Sequence, residues 1–173
     1  MQSKPIARPI PTVLLAWLAM LGWDFFLHAG LLARFYIAES PFLLLPAQAF
    51  SRIPLGYAAF LLLAIALVWL MPRFQIASWQ AAFAFGLKFG ALVWGALLLG
   101  LLSITTIENP LAAAWFFGQV LELGIGAAVI YWAANRDSLR SLTWRLLIMM
   151  LALVLVTVVM QSMGLAPAVI INR

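Results

Sequence analysis

Five polar side chains stand inside stretches that are otherwise hydrocarbon: Asp24, His28, Lys88, Gln119 and Glu122. Asp24 and His28, in "LGWDFFLHAG", are four residues apart, and on a helix they project from one side. Gln119 and Glu122, three apart, form a second polar stripe, and Lys88 stands alone in a third segment. An ionised side chain at a bilayer centre costs at least ~2.5–3.5 kcal/mol, so these charges are expected to face one another, with Lys88 between Asp24 and Glu122. One lysine between two carboxylates leaves a negative charge uncompensated, which binds a cation or holds a proton. One of Asp24 and Glu122 is therefore expected to carry a proton at neutral pH.

Other chemistry is poorly supplied. With no cysteine, thiolate metal sites and cysteine nucleophiles are excluded. No HExxH spacing and no glycine-rich phosphate loop occur, and Ser40 and Ser103 have no base paired with them. No metal and no cofactor are expected. An enzyme using Glu122 as a base on a lipid or quinone is a weaker third reading beside the two given below. Each polar residue also has a structural reading: Asp24 with Lys88 as a fixed ion pair, Gln119 with Glu122 as a bridge between helices, His28 as an interface hydrogen-bonder.

The elements that must position these groups follow from composition. Of 173 residues 66% are hydrophobic and 9% charged, whereas soluble domains carry roughly 25% charged residues. The basic residues are scattered singly, so the net charge of +5 is no sign of nucleic-acid binding. A hydrocarbon core of about 30 Å needs ~20 apolar residues of helix. Five segments qualify, at approximately 10–32, 54–71, 79–102, 110–134 and 144–163. The expected fold is an all-α integral membrane bundle of five transmembrane helices forming a single domain over residues 1–173.

Lys4, Arg8, Arg73, Arg136, Arg140 and Arg145 fall on one side of that bundle, against Arg34, Arg52 and Arg173 on the other. Basic loops stay inside, so a cytoplasmic N terminus and an external C terminus in the plasma (inner) membrane are expected. Trp69, Trp79, Trp132 and Trp144 lie at helix ends on the more basic side, as an interfacial belt does. The first apolar run is too long for a signal-peptide core and contains Asp24, so it is read as a span.

The external connection between the first two spans, residues 33–53, is apolar and interrupted by Pro41 and Pro46. Ser40-Pro41 has the form of a helix start. Either a short interfacial helix burying Phe42 to Leu45, or a loop packed over the bundle, would result. The other connections are short and force sequential antiparallel neighbours.

Depth brings the polar groups together. At about 1.5 Å per residue, Asp24 falls about 4 Å to the outer side of the midplane and Lys88 about 3–4 Å to the inner side. Glu122 is near the centre, Gln119 about 4 Å and His28 roughly 10 Å outward. On the third span Ala84, Lys88, Ala91 and Gly95 form one small-residue face, and Ala82, Gly86 and Gly90 another. Such a helix is expected to be sandwiched centrally, between the first and fourth spans. The fifth span is expected to be a lipid-facing wall or a protein-binding surface, with Gln161 an interfacial hydrogen-bonder.

The function these readings imply is a buried polar intramembrane site formed by Asp24, His28, Lys88, Gln119 and Glu122. It would bind or translocate a proton, a cation or a small amphipathic ligand. The alternative is a non-catalytic accessory or scaffold subunit whose buried charges are structural. Besides the lipid bilayer, a homodimer or a membrane-complex partner is the expected association, with no nucleic acid.

Overall fold

Hydrocarbon side chains with few breakers over more than twenty residues leave the backbone only one way to meet its own hydrogen bonds in lipid, the helix. The computed structural model describes residues 6–37 and 40–167, which form helices and connections with no strand among the described residues. Helix α1 (Pro9–Phe26) runs into a π-helical turn (Leu27–Leu31), followed by a short α2 (Ala33–Ile37). Then come α3 (Pro46–Leu70) with a 3₁₀ turn (Met71–Phe74), α4 (Trp79–Ile104), α5 (Asn109–Ala134) and α6 (Arg140–Ser162). Five stretches are long and apolar enough to cross a membrane: Pro9–Leu31, Gln48–Phe74, Trp79–Ile104, Asn109–Ala134 and Arg140–Ser162. The chain is a multi-pass helical membrane bundle.

The end of the bundle where α1 starts is termed the near end, and the opposite one the far end. Arg8, Arg73, Arg136, Arg140 and Arg145 lie toward the near end with Trp69, Trp79, Trp132 and Trp144, whereas Arg34 and Arg52 lie toward the far end. Lys4 and Arg173, used in the charge count above, and the C terminus itself are outside the described residues.

The connection between α1 and α3 is a packed loop from Ser40 to Leu45, not a second short helix there. Leu45 precedes Pro46 and is extended (φ −56°, ψ 145°), because the proline ring excludes helical backbone from the residue before it. Between Pro41 and Pro46 too few residues remain for a helix. The Ser40 hydroxyl accepts the Phe42 amide at 3.2 Å, closing a turn. Phe42 and Leu43 cover Leu98, Ile107, Leu111 and Ala112, while Leu44 and Leu45 face outward. Helix α3 consequently starts eight residues before Pro54, which sits inside it. The turn that Pro54 deprives of a donor is exposed at the far end, next to exposed Ser51 and Arg52, where polar surroundings can satisfy it.

The central helix is α5, not α4. Of its most apolar stretch 56% is buried, against 11% for α4. Glycine explains why. Gly86 and Gly90 of α4 press on α5, and a Cβ on Gly86 would overlap the Leu123 carbonyl. On α5 itself, Gly124 receives Phe83 and Leu87 of α4, Gly126 receives Met20 of α1, and Gly118 receives Leu27. Helix α5 is thin on several sides and takes α1, α3 and α4 around it. The second small face of α4 is open: Ala84 and Lys88 are exposed. Helix α6 packs on α1 and the π turn, its outer side showing Ile148, Leu151 and Leu155.

Candidate functional site

Helices α1 and α5 run antiparallel, in a register set by the glycines. Leu27 lies over Gly118, Met20 lies against Gly126, and the Trp23 indole N–H donates to the Gly118 carbonyl at 3.1 Å. One turn inward along α1 from His28 is Asp24, and about one turn inward along α5 from Gln119 is Glu122. Since His28 meets Gln119, the register places Asp24 level with Glu122. Asp24 is 8% exposed, Gln119 3% and Glu122 0%.

The π turn then adds a residue that spacing alone conceals. The Leu32 amide donates to the Leu27 carbonyl at 2.8 Å, five residues back instead of four. A one-residue insertion of this kind shifts the helical phase by about 100°. Tyr36, eight residues after His28 and then about 80° off its side of the helix, is thereby carried back toward it. Its hydroxyl meets His28 Nδ1, with the rings 5.4 Å apart. The Trp115 indole N–H donates to the Tyr36 oxygen at 2.6 Å. From α6, Gln161 donates to the Ala29 carbonyl at 3.0 Å and braces the distorted turn. Burial pushes the Tyr36 phenol up from its ordinary range, with Trp115 opposing and Asp24 adding to the shift. The phenol is therefore neutral at rest, able to donate or to accept a hydrogen bond.

The imidazole stands between the Tyr36 phenol and the Asp24 carboxyl. His28 Nε2 is 3.1 Å from Asp24 Oδ1 and 3.3 Å from the Gln119 amide nitrogen. Two protonation patterns satisfy the Tyr36–His28–Asp24 contacts, and only the second also offers an acceptor to the Gln119 amide nitrogen. In one, Tyr36 O–H donates to Nδ1 and Nε2–H donates to ionised Asp24. In the other, Nδ1–H donates to the Tyr36 oxygen, and the single lone pair of bare Nε2 accepts from protonated Asp24 or from Gln119. They differ by one proton, which enters at Tyr36 and appears on Asp24. In both patterns Trp115 keeps its hydrogen bond to the phenol oxygen.

Glu122 is different in kind. It is fully buried, and neither carboxyl oxygen has a hydrogen-bond partner. Asp24 stands at its level across the α1–α5 seam. Lys88 does not: it lies on the exposed side of α4, away from the α1–α5 seam, and no carboxylate of the described residues is within ion-pair distance of it. The expected Asp24–Lys88–Glu122 cluster is thus replaced by Asp24–His28–Gln119 with Tyr36 and Trp115, and a solitary Glu122 at the same level. The reason is that α4 packs through Gly86 and Gly90, which point Lys88 the other way.

Among the described residues no three His, Cys, Asp or Glu side chains are grouped to hold a metal. Sequence reasoning missed Tyr36 because the π turn is invisible to a 3.6-residue period, and read Trp115 as bundle packing or the lining of a hydrophobic pocket. The signal available was an unpaired imidazole with a phenol in the following turns. No family model, curated protein or solved structure matches this chain.

Proposed function

We propose that the protein binds protons within the membrane, at a site loaded from the far end through Tyr36 and His28, held at Asp24 and terminating at Glu122. The observation that carries the reading is Glu122: wholly buried, with both carboxyl oxygens unpartnered, at the level of a hydrogen-bonded Tyr–His–Asp series. A bare carboxylate there would cost several kcal/mol. A metal cation such as calcium needs six or more oxygen ligands, and among the described residues no three His, Cys, Asp or Glu side chains are grouped around Glu122 to supply them. The proton is the one cation that a single carboxyl satisfies.

The steps use only the residues present. Tyr36 passes its proton to Nδ1 and is reprotonated from the far end, while Nε2–H passes to Asp24. Protonation of Asp24 removes the negative charge that faces Glu122, so the proton occupancies of the two carboxyls are coupled. Gln119 donates to the freed Nε2 and holds the ring in that state. Toward the near end the α1–α5 seam is apolar, through Met20, Ala19, Leu123, Ala127 and Ile130. A proton taken up from one side is consequently held, which suits a proton-coupled carrier or sensor better than an open channel. The arginine excess favours a cytoplasmic near end and an external far end in the plasma membrane.

Infrared difference spectra of the protein in lipid, recorded across a pH step, test this directly. The expected result is a carboxylic-acid carbonyl band that is lost in Glu122→Gln. Tyr36→Phe should slow its appearance by roughly 10²-fold. A spectrum without such a band, or one unchanged in Glu122→Gln, overturns the proposal.

A further inference from the structure

Lys88 is left over by this site, and its surroundings identify a different kind of partner. It lies nine residues along α4 from Trp79, about 13–14 Å of rise. A helix of 26 residues is about 39 Å long and overhangs a 30 Å core by about 4–5 Å at each end. The Lys88 Cα is then about 9 Å inside the hydrocarbon. Its stem of five bonds of about 1.5 Å reaches roughly 6 Å toward the near end, and leaves the ammonium short of the headgroups. The flanking positions are small: Ala81 and Ala84 are exposed, Ala91 and Gly95 half-exposed. Among the described residues this face is open around Ala81, Ala84 and Lys88, with Phe116 of α5 approaching it only at Gly95, because the opposite face, Ala82–Gly86–Gly90, already carries the packing on α5.

We infer that this face of α4 docks a transmembrane helix of another protein that carries an aspartate or glutamate at the depth of Lys88, with small residues around it. The charge argues for an acidic partner, since an unpaired ammonium at this depth is unstable in lipid. The small residues let the two backbones approach closely enough for the pair to be shielded from lipid. A second copy does not fit. Of the chain's carboxyls, Asp24 and Glu122 are buried in their own bundle, and Glu108 and Asp137 lie beyond the ends of the spans. Glu39 falls in the connection between the first two spans. Two copies meeting here would set lysine against lysine. The inference rests on Lys88 and α4 alone, so it stands or falls separately from the proton site.

The test uses the full chain in phosphatidylcholine vesicles with a labelled single-span leucine–alanine peptide bearing one aspartate at the matching depth. Energy transfer between α4 and the peptide reports association. The expected result is association at least about fivefold tighter than for the same peptide with leucine in place of aspartate, and loss of that margin in Lys88→Leu and Lys88→Gln. Both substitutions are on an exposed face, and the unchanged melting temperature of the bundle verifies its fold. Equal association of the two peptides overturns the inference. So does self-association of the chain that Lys88→Leu weakens, or labelling of the Lys88 amine by a membrane-impermeant reagent, which would place it among the headgroups.

Discussion

Replacing Glu122 with methionine separates a site from structural glue, because the two roles predict opposite signs for stability. Glu122 is fully buried with both oxygens unpartnered. A buried polar group with no hydrogen bond costs roughly 1–3 kcal/mol. Methionine has similar length and volume and adapts to irregular gaps, so neither a cavity nor overpacking is created. Glu122→Met is therefore expected to stabilise the bundle by about 1–3 kcal/mol, or roughly 2–12 °C in melting temperature for a domain of this size. The assay is intrinsic fluorescence during heating in detergent, for which the eight tryptophans supply the signal. Leu123→Ala, at a neighbouring position 1% exposed, is the reference for ordinary core loss and should destabilise by about 2–5 kcal/mol. If Glu122→Met instead melts lower by more than about 1 kcal/mol equivalent, the carboxyl makes contacts that hold helices together, and the argument for a functional acid fails. The combination expected here, a more stable protein that has lost its titrating carbonyl band, is the signature of a strained functional group.

Two further outcomes test the packing and the relay. Gly86→Ala would drive a Cβ into the Leu123 backbone and should cost about 1–3 kcal/mol. Gly100→Ala, with open space around it, should stabilise by about 0.5–1 kcal/mol, so melting the two variants side by side checks that α4 is held by its glycine face. Burial raises the Tyr36 phenol above its ordinary value of 10.0, so its contribution to stability is complete below that pH. Above it the unfolded chain ionises first and the contribution is lost. Melting temperatures should accordingly fall as pH rises beyond about 10, and Tyr36→Phe should reduce that fall; an identical alkaline slope in the variant would show that the phenol is not buried as described.

The sequence by itself determined the class of protein, the number and approximate limits of the spans, and the identity of three of the groups that meet, Asp24, His28 and Gln119. Composition leaves no polar coat for a soluble surface, and helical periodicity puts Asp24 with His28 and Gln119 with Glu122 whatever the tertiary packing. Only the tertiary structure decided who faces whom. Two faces of the third span carried small residues, and the sequence offered no means of ranking Gly86–Gly90 above Ala84–Gly95. That single choice rotated Lys88 out of the bundle and moved α5 to its centre. The π turn was equally out of reach, because it depends on contacts from a distant helix, such as Gln161 holding the Ala29 carbonyl. Local side-chain chemistry is written along the chain, but the rotation of each helix about its own axis is set by close packing against neighbours, and that rotation is what selects Tyr36 and leaves Glu122 alone.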